Sequence, residues 1–175
     1  MNIEIRAARP EDLAAVIDMM REFAAYEKLL DSFEITEKKL HDAIFGNKAF
    51  VETVIATADD RPAGYALFYY CFASFRGQRG LYLEDLYVSS ELRGHGIGEA
   101  MLRELAGRAH SRGCERIDFQ VLEWNAPAIS FYKKLGGLCN DDERHFKFSD
   151  EAFRNLASLD KSFCHKAEKG GVLWL

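Results

Sequence analysis

The stretch that most constrains this chain is an apolar run that leads into a glycine-rich turn and then into an amphipathic helix. The run covers residues 81–88, the turn reads Arg93-Gly94-His95-Gly96-Ile97-Gly98, and apolar residues then recur every four positions from Ile97 to Ala109. This order predicts a strand, a tight loop and a helix that ends at Gly113. The first turn of a helix presents unpaired backbone N–H groups and the positive end of the helix dipole. The loop is therefore expected to bind phosphate.

Two common phosphate-binding designs do not match the spacing. A P-loop places Lys and then Ser or Thr after its last glycine, whereas Glu99 and Ala100 follow Gly98. The dinucleotide fingerprint Gly-x-Gly-x-x-Gly places its third glycine one residue later than this chain does. An ordinary tight loop is the alternative without a ligand, but a glycine at every second position is more than such a loop needs. The remaining pattern is Arg-x-x-Gly-x-Gly, in which Arg93 adds a charge-assisted contact.

The rest of the chain alternates predicted strands and helices, without internal repeats or an interdomain linker. The predicted strands lie near residues 3–5, 50–58, 64–72, 81–88, 116–122, 138 and 145–148. The predicted helices cover about residues 10–24, 36–46, 97–112, 125–136 and 150–159. Such an order indicates an α/β or α+β fold, with a mixed sheet covered by helices. We expect one domain over residues 1–159, followed by a C-terminal tail over residues 160–175.

Composition narrows the class of protein. A chain of 175 residues, 48% of them hydrophobic, suffices for one compact domain. Its net charge of −5 argues against a nucleic-acid partner and suits a cationic amine. No apolar stretch approaches the length of a membrane span and no signal sequence is apparent, so we expect a cytoplasmic protein. The four cysteines have no C-x-x-C spacing, so neither a metal site nor a disulfide framework is expected.

Three sequence blocks together resemble one enzyme family. The blocks are residues 82–88, residues 93–98 and the later run Glu123-Trp124-Asn125-x-Pro127-x-Ile129-x-Phe131-Tyr132-Lys133. They resemble the GNAT superfamily of N-acetyltransferases and, within it, the diamine (spermidine/spermine) N-acetyltransferase branch. The resemblance covers about residues 3–159 and weakens after Gly137. It implies a GNAT fold, with a mixed sheet of about seven strands whose central parallel strands splay to admit acetyl-CoA.

The resemblance also implies a set of cofactor-binding residues around the strand end, the loop and the later helix. These residues are Leu86, Tyr87, Val88, Arg93, Gly94, His95, Gly96, Ile97, Gly98, Asn125 and Tyr132. The backbone N–H groups of Tyr87 or Val88 are candidates to stabilise the negative charge that develops on the thioester oxygen. The spacing of Asn125 before Pro127 also predicts a helix cap. His95 is interpreted as a loop histidine and not as a metal ligand.

The acyl transfer needs a base and an acid. A primary amine has a pKa near ~10, so it must lose a proton before or as it attacks the thioester. Glu84 is the first choice for this base, and the resemblance implies that it acts through water. Because neighbouring strand residues point to opposite faces, Asp85 cannot face the cleft in the same way; it is expected to bind a substrate ammonium or to orient the base. The resemblance implies that Tyr132 corresponds to the tyrosine that, in this family, protonates or hydrogen-bonds the CoA sulfur.

The acceptor is a small-molecule amine in this interpretation. Tyr26 and Glu27 follow the first helix, and the resemblance implies that this loop lines the amine site. Arg76 and Arg79 would repel a long polycation but could bind a carboxylate, which favours a lysine-like amino acid such as thialysine over spermine. Two alternatives stay open, namely a protein-lysine or N-terminal acetyltransferase and a non-catalytic acyl-CoA-binding module. We expect a homodimer, and the apolar end of the tail packs on the domain or on a partner subunit.

Overall fold

The computed structural model describes residues 1–140, 142 and 144–158. Five strands form one sheet in the order β1-β2-β3-β4-β5, with β1 at Ile3–Ala7, β2 at Glu52–Ala58, β3 at Arg61–Ala73, β4 at Gln78–Val88 and β5 at Cys114–Asp118. The helices are α1 at Leu13–Tyr26, α2 at Glu37–Phe45, α3 at Ile97–Ser111, α4 at Ala126–Lys134 and α5 at Asp150–Ser158. The α/β order predicted from the sequence is confirmed.

The sheet is mixed, and among the described residues the pairing of its one parallel pair ends before β4 does. The first four strands pair antiparallel with their neighbours, while β4 and β5 run parallel. The β4–β5 register ends at Tyr82 opposite Asp118, although β4 continues to Val88. From Leu83 onwards, the edge of β4 that faces away from β3 therefore has no partner strand within the described residues. The splay between central parallel strands, which the family resemblance implies, stays a prediction.

Helices cover both faces of the sheet and bury two apolar clusters. On one face, α3 contributes Ile97, Met101, Leu105 and Ala109, which are the residues of the four-residue repeat. On the other face, α1 and α2 pack Leu13, Val16, Met19 and Leu40 against Ile55, Tyr65 and Tyr87. The apolar stripe of each helix thus faces the sheet, as amphipathic periodicity predicts.

The prediction of about seven strands is wrong for the described residues, which form five. Leu138 and residues 145–148 were expected to be strands, but they have no strand conformation, and Leu138, Phe146 and Phe148 are exposed. A strand is stable only beside another strand, and neither segment pairs with one among the described residues. β5 is also shorter than predicted, because it ends where its pairing with β4 ends.

Local turn and cap signals explain most of the element boundaries. Thr36 Oγ1 accepts a hydrogen bond from Lys39 N at 3.2 Å, which caps α2. Asp59 and Asp60 both have positive φ and form the two-residue turn between β2 and β3. Gly113, at φ 75°, follows the end of α3. The end of the helix that the sequence predicts at Gly113 is therefore confirmed.

The chain forms two compact units, each defined by the contacts among its own residues. The first is Met1–Glu123, and the second begins at Trp124. The first contains the whole sheet with α1 to α3, and the second contains α4 and α5. The tail over residues 160–175 lies outside the described residues. Within the described ranges, no helix has both the length and the apolar character needed to cross a membrane.

Candidate active site

The loop between β4 and α3 uses two of its three glycines in the left-handed conformation. Gly94 has φ 80° and Gly96 has φ 81°, whereas Gly98 lies inside the first turn of α3 and does not need positive φ. The first helical hydrogen bond runs from Ala100 N to Gly96 O at 2.9 Å. The amides that precede Ala100 thus have no acceptor within the helix and mark its positive end. This geometry can bind an anion.

Two side chains of the loop bond to the loop itself. Arg93 Nε donates to Val88 O at 3.0 Å, and the guanidinium lies over the rings of Tyr26 and Tyr87 at 5.0 and 5.5 Å. His95 Nδ1 lies 3.0 Å from Arg93 O, to which it can donate. Arg93 therefore ties the loop to the end of α1. In the described part of the chain, no cluster of three or more His, Cys, Asp or Glu residues could hold a metal ion.

A β-bulge interrupts β4 at the two carboxylates singled out in the sequence. Leu83 pairs with Phe68 and Asp85 pairs with Leu67, so Glu84 is the extra residue on β4. A bulge bends its strand and redirects the side chains beside it. Glu84 is exposed and Asp85 is half-buried. Simple alternation of faces, on which the sequence interpretation of these two residues depended, is therefore broken at this position.

Asp85 is a carboxylate that is partly buried from solvent. The Tyr65 hydroxyl donates to Asp85 Oδ2 at 3.0 Å, and Tyr65 itself is fully buried. Burial raises the pKa of the Asp85 carboxyl to about 6; the charges of Glu84 and Glu27 act in the same direction, and the bond from Tyr65 opposes them. Burial also raises the pKa of Glu27, at the end of α1. We call Glu27, Glu84 and Asp85 the carboxylate cluster; it attracts a cation.

Asp85→Asn should stabilise the protein at pH 7 by up to about 3 kcal/mol, because the folded state must hold a half-buried charge there. A carboxyl whose folded pKa is raised from 3.8 to about 6 favours folding below pH 4, and that contribution is lost as the pH rises to 6. Urea unfolding at pH 4 and at pH 7 measures the difference. Asp18→Asn, at an exposed position of α1, is the control. An equal gain at both pH values would contradict the assignment.

Asn125 and Tyr132 belong to the second unit. Asn125 is buried, and its Oδ1 accepts from Ala128 N at 3.3 Å, so its predicted role as the cap of α4 is confirmed. Tyr132 is half-buried on α4, with its ring edge-to-face against Phe131 at 5.1 Å. Burial raises the pKa of the Tyr132 hydroxyl to about 12. The hydroxyl therefore keeps its proton at neutral pH, as a proton donor must.

One predicted substrate-binding residue, Arg76, lies away from the carboxylate cluster. Arg76 is exposed in the short helical turn between β3 and β4, and the seven residues from Gln78 to Glu84 extend over about 20 Å. The structure thus does not bring Arg76 to the carboxylate cluster.

The sequence did not predict two hydrogen bonds that tyrosine hydroxyls donate to carboxylates. One is the bond from Tyr65 to Asp85, and the other is the bond from the Tyr87 hydroxyl to Glu22 Oε2 at 2.8 Å. Tyr65 and Tyr87 are paired across β3 and β4. Both tyrosines lie in apolar strand sequence, where spacing alone gives no signal of a polar partner.

The sequence matches a known family over most of its length. The model of the acetyltransferase (GNAT) family matches residues 14–137. The chain belongs to the GNAT family. It is an N-acetyltransferase, as the three sequence blocks predict.

Individual relatives agree with this assignment. The chain is 36% identical over 167 residues to thialysine N-epsilon-acetyltransferase of Sus scrofa, covering 89% of this chain and 98% of that protein. It is 32% identical to human spermidine/spermine N(1)-acetyltransferase-like protein 1, over 88% of this chain and 24% of that longer protein. An integron cassette protein from the mobile metagenome of V. cholerae has a similar structure, with a TM-score of 0.74 and 25% identity over 90% of this chain and 99% of that one.

Proposed function

We propose that this GNAT enzyme acetylates a primary amine of a small molecule, and that its acceptor is a lysine-like amino acid such as thialysine. The observation that carries the proposal is the carboxylate cluster beside the open end of β4. The negative charge of the cluster attracts a cationic amine, and the raised pKa values of Glu27 and Asp85 favour uptake of a proton from it. The thialysine acetyltransferases among the relatives support the choice of acceptor over polyamines and diamines, which share the same amine chemistry.

Acetyl-CoA fits the loop and the strand beside it. GNAT acetyltransferases use acetyl-CoA, which supplies the acetyl group as a thioester. The left-handed glycines and the start of α3 provide backbone donors for its pyrophosphate, and the unpaired edge of β4 provides backbone groups for its extended arm. The residues proposed to hold it are Leu86, Tyr87, Val88, Arg93, Gly94, His95, Gly96, Ile97, Gly98, Asn125 and Tyr132.

Side chains of the enzyme then transfer the protons of the reaction, and backbone groups stabilise the developing charge. Glu84 accepts a proton from the acceptor ammonium through a water molecule, for which its exposed position on the bulge is suitable. Tyr132 donates a proton to the departing sulfur, since its hydroxyl stays protonated at neutral pH. The backbone N–H groups of Tyr87 or Val88 stabilise the negative charge that develops on the carbonyl oxygen.

The acceptor site is proposed around the end of α1. Glu27 and Asp85 bind the ammonium, and Tyr26 lines the site while its ring packs on Arg93. Arg76 is the weakest member of the predicted substrate set, because strand geometry separates it from the cluster. Residues 1–159 are proposed to act as one acetyltransferase domain, which the family match from residue 14 to residue 137 supports. The homodimer and the cytoplasmic location stay predictions.

The test is release of free thiol from acetyl-CoA with a panel of amines. The panel contains thialysine, lysine, spermidine, a short diamine and a lysine-containing peptide, with mass spectrometry of each product. We expect kcat/KM to be highest for thialysine and lowest for the peptide. Transfer to the peptide alone would establish a protein acetyltransferase. Binding of CoA by calorimetry with no thiol release from any amine would establish a non-catalytic module.

A further inference from the structure

Tyr65 is a core tyrosine whose hydroxyl faces a proposed acceptor-binding carboxylate. Its ring is fully buried in the cluster below α1 and α2, 6.2 Å from the ring of Tyr87. Its hydroxyl reaches Asp85 Oδ2 at 3.0 Å. Because a packed ring in a strand has few accessible rotamers, the position of this hydroxyl is set by the core. The core therefore supplies a fixed donor at the edge of the site.

Asp85 depends on such a donor to remain charged. It is half-buried, and its neighbours Glu84 and Glu27 carry the same charge. Burial and like charges both favour the protonated carboxyl, which cannot attract an ammonium ion as strongly. A hydrogen bond donated to the charged form has the opposite effect. The Tyr65 hydroxyl provides this kind of contact to the carboxylate.

We propose that Tyr65 is a positioning residue, whose hydroxyl holds Asp85 ionised and oriented towards the acceptor ammonium. The inference rests on the proposed function, in which Asp85 binds that ammonium. The titratable groups that bear on the pair are Glu84 on β4, Glu27 at the end of α1, and Tyr87, which lies beside Tyr65 and bonds to Glu22. Arg93 lies over the Tyr87 ring and is the nearby cation.

The kinetic test is Tyr65→Phe, which removes only the hydroxyl. Losing a bond to the carboxylate should raise the pKa of Asp85 by about one pH unit. At pH 6 the KM for thialysine is then expected to rise about fivefold, since a smaller fraction of Asp85 is ionised, and at pH 8.5 it should match the wild type. The KM for acetyl-CoA should stay unchanged. Tyr70→Phe is the matched control, because Tyr70 lies on the same strand and its buried hydroxyl has no hydrogen-bond partner among the described groups.

A second measurement is independent of turnover. Proteins with ¹³C-labelled aspartate carboxyls are titrated by NMR, and Asp85→Asn identifies the resonance of Asp85. The midpoint of Asp85 should move upwards by about one pH unit in Tyr65→Phe and stay in place in Tyr70→Phe. An unmoved midpoint in Tyr65→Phe would overturn the inference.

The two measurements also separate this inference from the proposed function. If no amine is acetylated while the Asp85 midpoint moves as expected, the proposed acceptor chemistry fails and the contact between Tyr65 and Asp85 stands. If thialysine is acetylated and Tyr65→Phe lowers kcat equally at every pH with an unmoved midpoint, Tyr65 has a structural role only. That second result would overturn the inference and leave the proposed function intact.

Discussion

Glu84→Gln is expected to lower kcat/KM for the amine about 100-fold near neutral pH, with partial recovery as the pH rises. The amide cannot accept a proton, so the variant depends on the fraction of acceptor that is already a free amine. That fraction increases as the pH approaches the pKa of the amine, which is near ~10. The backbone bulge that places residue 84 does not depend on the charge, and the fold should be unaffected.

Initial rates with saturating acetyl-CoA between pH 6 and pH 9.5 measure this effect. Glu4→Gln is the control, since Glu4 is an exposed carboxylate on β1 of the same sheet. The variant and the control should bind CoA equally well. A loss of kcat/KM that is uniform over the whole pH range would instead assign Glu84 to substrate positioning.

Tyr132→Phe is expected to lower kcat about 10- to 100-fold while leaving the affinity for acetyl-CoA nearly intact. The variant keeps the ring and its packing on Phe131, and it loses the proton donor. The expected loss of kcat lies at or below the low end of the range that is usual when a general acid is removed. A thiol has a pKa of only about 8.5, so its thiolate leaves readily without a proton donor.

Steady-state kinetics measure kcat for Tyr132→Phe, and calorimetry with CoA measures its affinity for the cofactor. Tyr70→Phe again serves as the control, because it makes the same chemical change at a hydroxyl without a partner in the described structure. An unchanged kcat in Tyr132→Phe would remove Tyr132 from the mechanism. A large loss of CoA affinity would show that the hydroxyl binds the donor and does not act as an acid.

Elements with strong local signals were predictable from the sequence. The four-residue repeat from Ile97 to Ala109 corresponds to the buried face of α3, and Thr36 and Asn125 cap the helices for which their spacing suits them. These features depend on neighbours within one turn of helix, which the sequence displays directly. Strands are different, because pairing involves distant residues. The strand predicted at residues 145–148 is accordingly absent from the described structure.

The sequence alone determined the chemistry available at the site: a glycine-rich loop at a helix start, two adjacent carboxylates before it, and a tyrosine on a later helix. It also determined the family, whose model matches residues 14–137. Only the tertiary structure decided which contacts these groups make. The bulge at Glu84 needs the register of β3, the Tyr65–Asp85 bond joins residues 20 positions apart, and Arg93 packs on Tyr26 from across the fold. Such contacts depend on how separate elements pack, which residue spacing does not encode.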